Sequence, residues 1–418
     1  MSLNAERSYK MKLRDVENAF KYRRIPYPKR SVELIALLAI SCTFFLFMHT
    51  NKLNSRLKEM EVKLQPSEFS ALGLTGNHIS GHDAGKHDDI NTLHGTYNYL
   101  KSTGQILQLS PDKLNNTPKA EMDVLFFNRV PKTGSTQLIQ LMTQLGKVHD
   151  YAVETDHHRG GIIPLLDAVQ ESDMIDNIVN FEDGQAFASH VNFLNFTKHD
   201  QPKPIYINMV RDPVERVISW YYFIRAPWIF VPGRRRNNRE MPNPKWVNTE
   251  FDQCVTSGEK VCTYIENSLL EQVGDHRRQT LFFCGHNEFQ CTPFNARLPL
   301  QLAKMNVERE YAVVGTWEHT NETLAVLEAY IPRYFADASK MYYSGLNTDK
   351  RNVNPMKPHI SKDIIDMVRR NFTREIEFYQ FCRQRLHKQY LAIKLNELKQ
   401  VDKSLARLSE AKEMAIIN

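Results

Sequence analysis

Several features that would settle the class of this chain at once are missing from it. No internal repeat runs through the sequence, which excludes a repeat array. The Gly-x4-Gly-Lys-Ser/Thr loop of nucleotide kinases and NTPases is absent: in the one comparable turn the lysine precedes the only glycine. No His/Cys/carboxylate cluster at ligand spacing argues for a metal. A dominant charge sign is lacking too. With 54 Lys and Arg against 48 Asp and Glu the net charge is +6, so acidic partners are allowed but not demanded. The one long apolar run has no small-residue cleavage site after it, which argues against an ordinary signal peptide.

What is there begins with that run. Residues 1–31 carry Arg7, Lys10, Lys12, Arg14, Lys21, Arg23, Arg24, Lys29 and Arg30, a basic flank that stays cytoplasmic. The apolar stretch Leu34 to Met48 is short for a bilayer, but thin early-secretory membranes tolerate short spans. Residues 32–49 therefore read as a signal anchor, with everything beyond residue 50 lumenal. Residues 50–120 read as a stem. Leu53, Leu57, Met60 and Leu64 make a short coiled-coil seam, Pro66 stops it, and a polar, flexible stalk follows. Four glycosylation sequons, at Asn115, Asn195, Asn321 and Asn371, lie on the lumenal side. So do Cys254 with Cys262 and Cys284 with Cys291, close pairs that suit two disulfides in an oxidising compartment. A four-cysteine zinc site is the rival, with spacings too wide for a zinc knuckle. Cys382 is left over as a buried thiol. A nucleic-acid partner conflicts with the anchor and the sequons.

The globular part, residues 121–390 with a helical tail at 391–418, is organised around Val124 to Gln137. A buried-strand signal, Val124 to Phe127, runs into Pro131-Lys-Thr-Gly-Ser-Thr136. A helix follows, with Leu138, Leu141, Met142 and Leu145 on one face. Such a strand, small-residue turn and helix start aim backbone N–H groups at an anion. Lys132 adds a positive charge, Gly134 permits close approach, and Ser135 and Thr136 offer hydroxyls that can cap the helix. The plainer alternative is an ordinary turn with a surface lysine.

A mixed polar segment extends to about Asp183. Ala186 to Phe196 reads as a strand running into a loop, with His190 near the strand's end. Pro204 to Val210 is a strong buried strand. It leads to Arg211 and a helix start in which Asp212 caps, Pro213 takes the first position and Glu215 completes a capping box. Arg211 thus stands at the carboxyl end of a strand, where open α/β sheets bind ligands. Residues from Ala226 to about Trp246 read as a long irregular basic loop bearing Arg234, Arg235, Arg236 and Arg239. Further on, Tyr311 to Gly315 is a strand, Thr320 to Tyr330 a helix, Ser361 the cap of a long helix, and Leu398, Val401, Leu405 and Leu408 a terminal seam. His157, His158, His286 and His319 have no comparable context and read as structural or surface.

These residues resemble the heparan sulfate and uronyl 2-O-sulfotransferase family, most of all its insect members. The resemblance rests on FNRVPKTGST at 127–136, HVNFLNF at 190–196, PIYINMVRDPVERVISWYYFIR at 204–225, PGRRR at 232–236, FFCGH at 282–286 and EFYQF at 377–381. It implies an α/β domain, a P-loop-like parallel sheet flanked by helices (the sulfotransferase fold), behind an anchor and stem. It implies a Golgi enzyme moving a sulfuryl group from 3′-phosphoadenosine 5′-phosphosulfate to a glycan hydroxyl, the 2-position of a uronic acid, by in-line displacement without a metal. Lys132, Thr133, Gly134, Ser135 and Thr136 match the turn that grips the 5′-phosphosulfate, and Arg211 and Ser219 the pair that holds the 3′-phosphate. Arg129 matches an arginine beside the donor and acceptor, and His190 the general base. Arg234, Arg235 and Arg236 match an acceptor-binding loop, and both cysteine pairs the family's disulfides. Family members are often trimers. Heparan sulfate members carry a second histidine two residues before the base; here Ala188 stands there, as it is also missing in uronyl members. A catalytically inactive sulfoglycan-binding protein on the same scaffold is the alternative.

Overall fold

A computed structural model describes the backbone of residues 91–155, 165–236, 238–269, 276–344 and 358–417. The expected anchor at 32–49, the seam at 53–64, and His157 and His158 lie outside the described residues. Among those described, no helix is long and apolar enough to cross a membrane.

The longer elements, in order, are α1 (Leu93–Ser102), β1 (Val124–Asn128), α2 (Ser135–His149), β2 (Val153–Thr155), α3 (Ala168–Val179), β3 (Gln185–Ser189), β4 (Ile205–Met209), α4 (Pro213–Arg225), α5 (Pro227–Arg236), α6 (Arg297–Arg309), β5 (Tyr311–Gly315), α7 (Thr320–Tyr330), α8 (Lys362–Arg370) and α9 (Thr373–Ile417). The five strands form one parallel sheet in the order β2-β3-β1-β4-β5. Strands β1, β4 and β5 are buried along their whole length, which is why their sequences run apolar without alternation. Val124, Phe126, Phe187, Tyr206 and Tyr311 pack under α3, α6 and the Phe378–Cys382 turn of α9. Leu125, Phe127, Ala186, Ala188 and Ile207 pack under α2, α7 and Leu386 of α9. Full burial of one such aromatic contributes roughly 1.5–3 kcal/mol.

This strand order fixes where a ligand goes. The connection after β1 runs toward β2, and the connection after β4 runs the other way, toward β5. Their carboxyl ends are neighbours, and the diverging chains leave a crevice between them.

Four sequence expectations need correction. The polar segment before Asp183 contains edge strand β2 and helix α3, whose N-terminus is closed by a capping box of Asp167 and Gln170. Three residues at a sheet edge leave no periodic signature. The stalk reading fails for its last part: α1 and the short turns up to Lys119 pack on the domain, with Leu100 buried and the Asn116 amide donating to the carbonyls of Glu308 and Tyr311. The basic segment after Ala226 begins as helix α5 rather than an irregular loop. Pro227 starts it, and Pro232 is carried inside it at the loss of one backbone bond. Finally, the helix capped by Ser361 ends at Arg370. Val368 and Phe372 are buried where it hands over to the 45-residue α9, along which Leu398 and Val401 stand exposed.

Both disulfides are formed, Cys254–Cys262 and Cys284–Cys291, so these cysteines are not zinc ligands. Cys382 is a buried free thiol whose ionisation burial strongly opposes. Among the sequons, Asn195, Asn321 and Asn371 are exposed and Asn115 is half-buried.

Candidate active site

The site is built on the carboxyl ends of β1, β3 and β4. After Asn128 the chain leaves the sheet through a turn in which Lys132 has φ 65° and Gly134 φ 80°. Gly134 is the N-cap residue of α2, and no side chain caps that helix. Ser135 and Thr136 are therefore its first residues and not its caps. Thr133 turns inward and donates its hydroxyl to the Val130 carbonyl at 2.9 Å. The Ser135 and Thr136 amides open α2 without a side-chain cap, and the helix dipole adds to their positive field.

Trp317 closes the far wall of this turn. Its indole N–H donates to the Gly134 carbonyl at 3.0 Å, and its ring stacks on Tyr342. A Cβ on Gly134 would overlap that indole. Gly134→Ala should therefore lower stability by about 2–5 kcal/mol, the sum of a left-handed alanine and an overpacked contact. An unchanged urea midpoint would contradict this geometry.

The ammonium of Lys132 lies 3.8 Å above the Phe223 ring, and Arg211 donates to the Lys132 carbonyl at 3.4 Å. Phe223, Ser219 and Glu215 follow one another at four-residue spacing on α4, in line with Arg211 just before the helix. Phe223 touches Lys132, and Ser219, one turn earlier, shares that face of α4. Asp212 caps α4 as expected, accepting from Val214 and Glu215 amides at 3.0 Å. The capping box does not form. Glu215 reaches Arg211 at 3.4 Å instead, and the Asp212 N–H donates to Glu318 at 3.2 Å.

Burial, and then the charge of Arg211, lower the Lys132 pKa to about 8. Two cations and a helix N-terminus at one crevice favour an anion. An anion binds best while Lys132 is protonated, so affinity for a phosphorylated ligand should fall up to about tenfold per pH unit above pH 8. Between about 8 and the ordinary lysine value the unfolded chain holds more protons at this position. Raising the pH through that window therefore stabilises the empty fold while weakening the ligand. Calorimetric titration against pH checks both signs.

His190 follows the last residue of β3. Its Nδ1 lies 2.9 Å from the Arg129 carbonyl, which can only accept, so Nδ1 carries the proton. Its Nε2 faces the guanidinium of the same arginine, accepting from Nε at 3.0 Å and Nη2 at 2.7 Å. Arg129 itself is buried enough to lower its pKa to about 10. Arg129 and His190 thus form one unit at the ends of adjacent strands. Arg234, Arg235 and Arg236 are not part of it. They end α5, half-buried to exposed, and Arg234 donates to the Glu240 carbonyl. His286 is structural, accepting from the Leu166 N–H at 3.0 Å.

Beneath these residues lies a layer that sequence reasoning missed. Asn128 accepts from Tyr311 at 2.9 Å and from Asn208 at 3.0 Å, and donates to the Phe282 carbonyl, tying three strands together under the site. Gln279 both donates to and accepts from the backbone of Arg211. Fully buried Arg216 donates to the carbonyls of Pro131 and His276, and buried Glu375 accepts from the amides of Gln279 and Thr280. The only sequence signal for this layer is polar residues inside apolar segments.

Comparison with known proteins gives the family. Residues 118–382 match the model of the sulfotransferase family. The uronyl 2-sulfotransferase homolog pip of Drosophila melanogaster is 47% identical, over 94% of this chain and 95% of its own. Heparan sulfate 2-O-sulfotransferase 1 of Homo sapiens is 30% identical over 69% of this chain and 76% of its own; that of Xenopus laevis is 32% identical over 62% and 69%.

Proposed function

This chain belongs to the sulfotransferase family, and from that premise we propose that it transfers a sulfuryl group from 3′-phosphoadenosine 5′-phosphosulfate to a uronic acid 2-hydroxyl of a glycosaminoglycan or glycoprotein glycan. The observation that carries the proposal is the meeting of an anion-binding turn and a strand-end imidazole at one sheet crevice. The site fits such a donor. Lys132 has an aromatic face but no carboxylate within ion-pair distance among the described residues, and α2 begins without a side-chain cap.

Lys132, Thr133, Gly134, Ser135 and Thr136 would hold the 5′-phosphosulfate, and Arg211 with Ser219 the 3′-phosphate. The donor, when bound, supplies an activated sulfuryl group. His190 takes the proton of the acceptor hydroxyl at Nε2, the nitrogen that bears no proton in the neutral ring. That nitrogen is engaged by Arg129, so Arg129 must turn away to an anionic oxygen before the base is free. Arg129 therefore couples filling of the site to release of the base. Lys132 and the first amides of α2 hold negative charge that grows on the leaving side. Arg234, Arg235 and Arg236 offer a cationic patch to a polyanionic glycan.

We place the protein in the Golgi membrane, anchored by residues 32–49 with the enzyme domain lumenal, and infer a homo-oligomer. The two disulfides and the sequons support the compartment. The test is transfer of labelled sulfate by the full-length chain to a panel of defined glycans, with digestion to locate the label. Label at a uronic acid 2-position supports the proposal. Donor-independent glycan binding without transfer would leave the inactive lectin.

A further inference from the structure

A second cluster of polar side chains lies outside this site. His319 occupies the N-cap position of α7, Glu322 stands in the helix's first turn, and His387 projects from α9. One ligating atom from each lies within 4.8 Å of the others. His319 Nδ1 is 3.8 Å from Glu322, and the two imidazoles meet edge to face with centroids 4.6 Å apart. His387 is fully buried, and neither of its ring nitrogens hydrogen-bonds to another side chain. The Asn91 backbone is the hydrogen-bonding group beside the ring, and its carbonyl also accepts from Arg383 at 3.1 Å. A buried imidazole with one shared backbone acceptor beside it, set against a second imidazole and a carboxylate, keeps a nitrogen for a ligand.

We propose that His319, Glu322 and His387 form a structural zinc site. Two imidazoles and one carboxylate, with no sulfur, are an N/O donor set that suits Zn2+, and water would complete the tetrahedron. Ligand atoms around zinc stand about 3.3 Å apart, given bonds of about 2.0–2.1 Å. The cluster needs a contraction that the half-buried His319 and Glu322 side chains supply by rotation. Arg383, one turn earlier on α9, and the dipole of α7 oppose a cation there. The Glu322 carboxylate offsets both. The Asn91 backbone beside the ring would orient His387, as outer-shell carbonyls do for metal-bound histidines.

Bound zinc would fasten the start of α7 to α9. The turn just before α7 carries Trp317, which holds the Gly134 carbonyl, and Glu318, which accepts from Asp212. The metal would thus brace the wall behind both anion-binding turns without touching the reacting groups. The inference rests on side chains outside the donor site and stands apart from the assignment of the reaction.

The test uses the full-length chain, stripped with chelator and titrated with Zn2+ alone. Wild type should bind one equivalent that Glu322→Gln lacks or binds at least roughly 100-fold more weakly, beyond the loss typical of an outer-shell change. Zinc should raise the unfolding temperature of wild type by a few degrees and leave that of Glu322→Gln unmoved. His387→Gln should show the same loss. Because His387 is buried, Glu322→Gln, at a half-buried position and matched in size, is the deciding variant, with circular dichroism confirming its fold. Absence of zinc binding by wild type, or equal stoichiometry and affinity in Glu322→Gln, overturns the site.

Discussion

His190→Gln should lower kcat for sulfuryl transfer by roughly 10²–10⁴-fold, the usual contribution of a positioned general base. Affinity for adenosine 3′,5′-bisphosphate should stay within a few-fold of wild type. Glutamine can keep a donor toward the Arg129 carbonyl and an acceptor toward its guanidinium, so the strand ends need not move. What is lost is a group that can take up a proton near neutral pH. A variant that turns over at more than a tenth of the wild-type rate would remove His190 from the reaction. A variant that loses nucleotide binding as well would make Arg129 and His190 a structural pair.

Lys132→Ala should fail differently, losing donor binding and turnover together. Nothing else in the turn carries a full charge, and Arg211 is already shared with Glu215. The expected fall in kcat/KM is roughly 10²–10³-fold, the size seen when one preorganised donor to a developing anion is removed. Because Lys132 is buried against Phe223 at a cost that lowers its pKa to about 8, the empty alanine variant should fold at least as stably as wild type at neutral pH. Loss of activity with retained or raised stability marks a residue kept for its ligand. Equal losses of both would mean that the ammonium serves the fold.

The contrast between what the sequence announced and what it hid has a physical origin. Strands β1, β4 and β5 are buried on both faces, so their composition alone gave them away. The turn at Pro131–Thr136 was legible because Lys, Gly and hydroxyl residues between a strand and a helix serve few other purposes. His190 was placed at a strand end from the apolar run before it. The details that went wrong were those in which a local partner lost to a distant one. Glu215 had the spacing of a capping box, but Arg211 claimed its carboxylate and Glu318 took its place at the Asp212 amide. Ser135 and Thr136 had the chemistry of caps, but Gly134 occupies that position in a left-handed conformation that suits glycine. The layer of Asn128, Asn208, Gln279, Arg216 and Glu375, and the approach of His387 to His319, join positions far apart in the chain, and no spacing rule reaches across such gaps.

The central claim is that the Lys132 turn and the Arg211–Ser219 stripe clasp one bisphosphorylated nucleotide beside His190. Hydrogen exchange of the full-length chain with and without adenosine 3′,5′-bisphosphate tests it most directly. The account predicts slower exchange at the amides of residues 132–138 and 211–219, with α1 and α3 unchanged. Nucleotide binding that leaves both stretches unprotected, or that protects only one of them, would contradict it.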